Sequence, residues 1–296
     1  MRPCRIEIDK DALLHNLSVV KQKAPNSKIV AMVKSNAYGH GAVEISTILA
    51  SNVDYLGVAA IDEALVLRKA GIVAPILLAE GFFSADELPA ICHHKFSIVV
   101  HSLWQLTTLL EQPQKGLIDV WLKFDSGMHR LGFNKEGFAF AIERLLQAKW
   151  ISRNIKLMTH YATADDGFHP KTLLQDMRFR ELISDFPDFS TSFANSAMLL
   201  NSTKDQYAMG SYVRPGLMLY GCSPIANKSA AALNLRPVMT LKSAIISLRN
   251  CQAGESVGYG AVWSAPTDTL IATVAIGYGD GYPRHLGEQA YVLVED

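Results

Sequence analysis

Between Ile29 and about Tyr220 the chain alternates short apolar runs with stretches in which apolar residues recur at helical spacing. The runs near 28–34, 54–59, 75–79, 96–100, 118–124, 155–160, 191–194 and 212–214 predict strands. Helical spacing shows in Glu44-Ile45-Ile48-Leu49, in Glu63-Leu67-Lys69 and in Phe138-Ile142-Leu145-Leu146. Parallel strands need long crossovers, usually helical, so this alternation implies a parallel sheet covered by helices. Eight repeats of the unit predict a closed (β/α)8 barrel; an open doubly wound sheet is the alternative. An amphipathic helix with Leu13, Leu14, Leu17 and Val20 on one face precedes the first barrel strand, and Asp9 is its expected N-cap.

After about Asn234 the texture changes. Val238 to Ile246, Thr269 to Ile276 and Ala290 to Val294 are strand-like and are separated by glycine-rich turns rather than helices. The pattern predicts an α/β chain of two domains. A barrel would occupy 1–233 and a β-rich domain 234–296, with a strand near 4–8 able to join the second.

Composition narrows the function classes. The 28 Lys plus Arg balance 28 Asp plus Glu, which gives no electrostatic case for nucleic acid or an anionic membrane. With 49% hydrophobic residues and 19% charged, the chain has the apolar material for a large core. No apolar run reaches the roughly 20 residues that span a bilayer, and the N-terminus lacks a secretory h-region. Cys4, Cys92, Cys222 and Cys251 are scattered without C-x-x-C spacing, as reduced thiols rather than metal ligands. A cytoplasmic, metal-free protein is expected.

The polar motifs fall after the strands. Lys34 leaves the first barrel strand in Val33-Lys34-Ser35-Asn36-Ala37-Tyr38-Gly39-His40-Gly41, where small residues leave room for a phosphate. Arg130 follows the fifth strand, His160 closes the sixth, Asn195 and Ser196 follow the seventh, and Arg214 ends the eighth before Pro215 and Gly216. In (β/α)8 enzymes catalytic groups lie on that common rim. Each residue alone has a plainer reading. Lys34 could simply cap a strand, and His160 could be a hydrogen-bonded core histidine. Arg130 could be a surface arginine, Arg214 a carboxylate's partner, and Tyr259 a turn tyrosine. Ser196 could be a helix N-cap, a role compatible with holding phosphate at a helix N-terminus.

Taken together, the lysine segment, Met-His-Arg-Leu-Gly (128–132) and Thr-His-Tyr-Ala-Thr-Ala-Asp (159–165) resemble the alanine racemases. So do Asn-Ser-Ala (195–197), Val-Arg-Pro-Gly-Leu-Met-Leu-Tyr-Gly (213–221), Val-Gly-Tyr-Gly (257–260) and Ile-Gly-Tyr-Gly-Asp-Gly-Tyr (276–282). That resemblance implies a fold-type III enzyme dependent on pyridoxal phosphate, acting on alanine as a head-to-tail homodimer and supplying D-alanine for the bacterial wall. It implies that Lys34 carries the cofactor and that Tyr38, Ser196 and the backbone at Gly216 and Leu217 hold its phosphate. It implies that Arg214 faces the pyridine nitrogen, that His160 and Asn195 complete the cofactor site, and that Arg130 contacts the substrate carboxylate or the cofactor's phenolic oxygen. Lys123 matches a lysine that is carbamylated in some relatives. Two bases are implied, Lys34 on one face of the α-carbon and Tyr259, from the partner subunit, on the other. The family pattern continues past Asp296, so an incomplete β domain is expected. A non-catalytic cofactor-carrying barrel and a fold-type III decarboxylase are the competing readings.

Overall fold

The strands of the computed structural model are β1 (Arg5–Ile8), β2 (Lys28–Met32), β3 (Tyr55–Val58), β4 (Ile76–Leu78), β5 (Ser97–Val100), β6 (Asp119–Lys123), β7 (Lys156–Met158), β8 (Ser190–Asn195), β9 (Tyr212–Arg214), β10 (Met239–Lys242), β11 (Ile245–Cys251), β12 (Ser256–Val257), β13 (Trp263–Ser264) and β14 (Thr269–Val274). The helices are α1 (Lys10–Lys23), α2 (Lys34–Tyr38, a single left-handed turn), α3 (Ala42–Leu49), α4 (Ile61–Lys69), α5 (Leu88–His93), α6 (Leu103–Glu111), α7 (Lys135–Gln147), α8 (Pro170–Ser184) and α9 (Ser196–Asn201). All residues are described except 1, 168, 202–208, 285, 287–289 and 295–296.

β2 to β9 close a parallel barrel in chain order, sealed where Lys28 and Ile29 of β2 pair with Tyr212 and Val213 of β9. The closed barrel is therefore the architecture, not the open sheet. Its strands coincide with the eight apolar runs because strands of a parallel barrel are covered on both faces and read as continuous apolar segments. α1 enters as expected: Asp9 Oδ1 accepts from the Ala12 amide at 2.9 Å, and Leu13, Leu17 and Val20 are buried.

Inside the barrel, alternate residues of each strand stack in layers. The middle layer is apolar, built on Val30, Leu77, Val99, Trp121 and Met158. Gly57 belongs to this packing because a Cβ there would come within 2.5 Å of Met32 Sδ. At the N-terminal end of the strands the lining turns polar. Lys156 Nζ donates to both Asp119 oxygens at 2.6 and 2.7 Å, Ser97 Oγ donates to Oδ2 at 2.7 Å, and the Tyr55 hydroxyl approaches at 3.4 Å. The Lys156 side chain is 2% exposed, so its charge is stable there only with this carboxylate beside it.

The chain divides into two compact units, one spanning Asp9–Val238 and the other holding the residues up to Ile8 and from Met239 onward. Residues 234–238 lie with the barrel. Asn16, fully buried on α1, donates to the carbonyls of Leu219 and Arg236 and accepts from the Arg236 amide. The second unit is strand-rich. β1 pairs with β10, β11 with β14 and β12 with β13, all antiparallel. The expected strand over 238–246 is broken between Lys242 and Ile245, and β11 begins with a register shift between Ile245 and Ser247. Residues 290–294, expected as a strand, join no ladder among the described residues. Apolar character makes a strand only where a neighbour takes up its N–H and C=O groups.

No helix among the described residues is long and apolar enough to cross a membrane. Removing Asp119 with Asp119→Ala should destabilise the barrel by about 3 kcal/mol, because Lys156 is left buried and alone. Breaking the exposed Lys135–Glu181 pair with Lys135→Ala should cost far less, because both side chains stand in water. Chemical denaturation of both variants tests the contrast.

Candidate active site

The site is built where the strands end. After β2 the backbone turns left-handed: Ser35, Asn36, Ala37 and Tyr38 all have φ near +53°, and Gly39 follows at +86°. Four consecutive L-residues in this conformation cost on the order of 4 kcal/mol or more. Local bonds hold the turn. The Ala37 amide donates to the Val33 carbonyl at 2.8 Å, the Gly39 amide to the Ser35 carbonyl at 3.1 Å, and the Ala42 amide to Asn36 Oδ1 at 2.8 Å. Glu63 of α4 adds its carboxylate, which accepts from the Ser35 amide at 2.5 Å. The turn presents Lys34 at the barrel mouth and directs Tyr38 toward the end of β9.

Tyr38 packs against Tyr220, with ring centroids 5.0 Å apart, and the Tyr220 hydroxyl donates to the Met32 carbonyl at 2.8 Å. A Cβ at Gly216 would lie 2.5 Å from the Tyr38 hydroxyl, so this close approach requires glycine. Ser196 Oγ accepts from the Gly216 amide at 2.8 Å and from the Met218 amide at 3.4 Å. The residue that caps the start of α9 is Asn195, whose Oδ1 accepts from the Met198 amide at 3.0 Å. The capping reading of Ser196 thus passes to its neighbour, and the Ser196 hydroxyl joins the 216–218 turn. Leu217 is exposed at the start of that turn. Tyr38, Asn195, Ser196, Gly216 and Leu217 therefore form one side of the mouth.

Arg214 forms the floor of the other side. Nη1 donates to Ser192 Oγ; Nη2 donates to the Thr159 carbonyl at 2.7 Å and lies 3.4 Å from the Phe193 carbonyl and 3.3 Å from His160 Nδ1. The register irregularity between Ser192 and Asn195 in the β8–β9 pairing lies beside these acceptors. Burial lowers the Arg214 pKa to about 10, so it is still a cation at neutral pH. A guanidinium only donates. His160 Nδ1 must therefore accept, which places the imidazole proton on Nε2. Burial, then the cations of Arg214, Lys123, Arg130 and Lys34, hold His160 well below its usual pKa and keep it neutral.

Lys123 ends β6 and is buried, and burial followed by Arg214 and Arg130 brings its pKa down to about 8. Arg130 is exposed on the loop after β6. The loop is closed at its base by the Asp125 and Phe133 amides, which donate to the Phe133 and Lys123 carbonyls at 2.9 Å each. Asp125 Oδ1 gathers the amides of Gly127 and His129 at 2.9 and 3.0 Å. Gln175 of α8 steadies the same rim, with its Nε2 donating to Ser126 Oγ and to the His160 carbonyl.

The structure thus brings together Lys34, Lys123, Arg130, Arg214 and His160, with the Tyr38–Ser196–Gly216 side adjoining them. Four cationic side chains around one mouth make a site for an anion. Amides and hydroxyls on one side, and a glycine whose Cβ would close the gap, suit a phosphorylated ligand. The donor set fits pyridoxal phosphate: an amine, hydroxyls and amides, and a permanent cation. Among the described residues no group of three His, Cys, Asp or Glu could hold a metal. Tyr259 belongs to the other unit, in the short 3-10 turn Tyr259–Ala261, and is 97% exposed. Sequence reasoning missed Glu63, Gln175 and Ser192, which lie within a helix or strand and show no signal beyond a hydrogen-bonding side chain.

Comparison with known proteins places these residues in context. The profile described as "Alanine racemase, N-terminal domain" matches residues 8–224, and "Alanine racemase, C-terminal domain" matches residues 238–296. The C-terminal domain is therefore represented, which corrects the expectation that its pattern is lacking. An alanine racemase of Legionella pneumophila is 42% identical over 294 residues, which cover 99% of this chain and 81% of that protein. One from Aliivibrio salmonicida is 45% identical over 294 residues, with the same two shares covered. The crystal structure of the biosynthetic alanine racemase from Pseudomonas aeruginosa superposes with a TM-score of 0.89 at 41% identity, covering 96% of this chain and 78% of that one. With both domain profiles matched and relatives of this identity spanning nearly its whole length, the chain belongs to the alanine racemase family.

Proposed function

We propose that this protein is an alanine racemase that interconverts L- and D-alanine, with pyridoxal phosphate held in the barrel mouth. The observation that carries the reading is the convergence of Lys34, Arg130, Lys123 and Arg214 around a neutral His160 at the C-terminal rim. Such a mouth favours a ligand with phosphate and carboxylate charges.

When bound, the cofactor supplies a conjugated ring that delocalises the electron pair left when the α-proton departs. The protein does the rest. Tyr38, Asn195, Ser196 and the backbone at Gly216 and Leu217 hold the phosphate, and His160 donates from Nε2 into the site. Arg214 faces the ring nitrogen and has no acceptor to offer it. By leaving that nitrogen unprotonated, Arg214 would favour return of the proton to the α-carbon. Arg130 orients the substrate carboxylate. Lys34 Nζ takes or gives the proton on one face of that carbon. The phenol of Tyr259, from the partner subunit of a homodimer, serves the opposite face. Its nearly full exposure on its own chain suits that use. The reaction would take place in the cytoplasm and provide D-alanine for the bacterial wall.

Solvent-deuterium exchange at the α-carbon separates the two bases. Tyr259→Phe should slow exchange into L-alanine by at least ~100-fold, the scale of a general base, with cofactor absorbance unchanged. Lys34→Ala should abolish turnover and the fixing of cofactor to the chain by borohydride. If borohydride fixed it to another residue in the wild type, Lys34 would lose its role.

Lys123 generates a pH prediction. Its amine, brought to about 8, has far more free base at neutral pH than an ordinary lysine, and free amine is the form that takes up carbon dioxide as a carbamate. Labelled bicarbonate should give a carbamate signal in carbon NMR that Lys123→Met removes. In carbonate-free buffer the unfolded chain keeps a proton between about pH 8 and 10.5 that the folded chain has lost, so wild-type stability rises with pH across that window. Below it the full penalty remains, and Lys123→Met should be more stable at pH 7 by about 3 kcal/mol. Denaturation at pH 7 and pH 10 tests the sign.

A further inference from the structure

Glu63 takes no part in the chemistry proposed above, although its carboxylate holds the turn after Lys34. It occupies the first turn of α4, where an acidic side chain is an ordinary helix-start residue. Its Oε2 behaves accordingly, accepting from the Ala59 amide just ahead of the helix at 2.7 Å. Its Oε1 does something a cap does not need: it crosses to the neighbouring strand exit and accepts from the Ser35 amide at 2.5 Å. One carboxylate therefore ties the end of β3 to the residue directly after Lys34.

The Ser35 amide opens the left-handed run. L-residues avoid this conformation, and Ser35, Ala37 and Tyr38 lack the local side-chain compensation that Asn36 has in its bond to Ala42. The bond from the Ser35 amide to Glu63 is the contact that anchors the start of the run to a different element of the barrel. A bond from a backbone amide to a carboxylate is charge-assisted, which makes it stronger than one to a neutral acceptor. With it in place, the direction of the Lys34 side chain and the approach of Tyr38 to Gly216 are set by one rigid segment.

We infer that Glu63 is a positioning residue for the reaction, fixing the left-handed turn and thereby the amine of Lys34, an inference that rests on the racemase reading of the site. Glu63 touches neither substrate nor cofactor. It acts through the backbone, so its loss should change how well the lysine is aimed and leave the number of bound cofactors unchanged. A misplacement near 1 Å is enough to lower turnover about 100-fold.

The test uses the full chain with and without pyridoxal phosphate. Glu63→Gln keeps the shape of the side chain and turns one acceptor oxygen into a donor facing an amide. Hydrogen exchange of segment 34–41 without cofactor should speed up about 10–100-fold in this variant, the scale of one lost charge-assisted bond. Exchange in β5 to β7 should be unchanged. With cofactor bound, turnover per bound cofactor should fall about 10–100-fold, with KM for alanine within about twofold of wild type. Glu63→Asp, which retains the carboxylate, should recover part of both effects. Wild-type turnover per bound cofactor in Glu63→Gln would overturn the inference, as would an equal loss of exchange protection throughout the barrel. A cofactor fixed by borohydride to a residue other than Lys34 would instead defeat the racemase reading. The exchange effect in the unloaded chain would survive that result, so the two failures are distinguishable.

Discussion

Burying a guanidinium is the constraint around which this barrel mouth is arranged. Arg214 reaches across the ends of β7, β8 and β9, and its hydrogen bonds with Thr159, Ser192, Phe193 and His160 join three strands at the level where chemistry is expected. Donating to His160 Nδ1 fixes the imidazole tautomer, and the cation's field keeps that ring neutral. The same field, added to burial, loosens the proton on Lys123. A lysine at position 214 would be a weaker solution, since a buried ammonium sheds its proton far more readily.

The two sides of the mouth are held by different means. The floor around Arg214 rests on strand ends and side-chain bonds within the sheet. The Lys34 side rests on a backbone conformation that is unfavourable in isolation and persists because its amides are bonded from several directions. Such a segment is a common place for function, because a conformation that the surroundings over-determine holds a side chain more firmly than a relaxed loop does.

Much of this was legible in the sequence, and the reasons are physical. Each barrel strand is buried on both faces and so appears as an unbroken apolar run. The polar residues right after those runs, Lys34, Arg130, His160, Asn195, Ser196 and Arg214, had to fall on one rim once the sheet was parallel. The left-handed turn was illegible because Ser-Asn-Ala-Tyr carries no glycine, and only Asn36 is tolerant of that region. Glu63 looks like any acidic residue opening a helix; its second partner lies 28 positions away. The apolar run at 290–294 shows the converse, since pattern alone does not provide a pairing partner.

The pairing of Lys156 with Asp119 at the far end of the barrel has an electrical consequence for the mouth. Lys156 opens β7 and His160 follows its end four residues later, roughly 13 Å on along an extended chain, with Met158 and Trp121 in the apolar layer of the barrel. As a neutral couple, the pair projects only the weak field of a dipole through that apolar slab. Stripped of its carboxylate, the ammonium would act on the mouth as a fifth positive centre, worth about 1 kcal/mol at that separation for an effective dielectric near 20. The closed bottom of the barrel thus serves as electrical insulation for its open top.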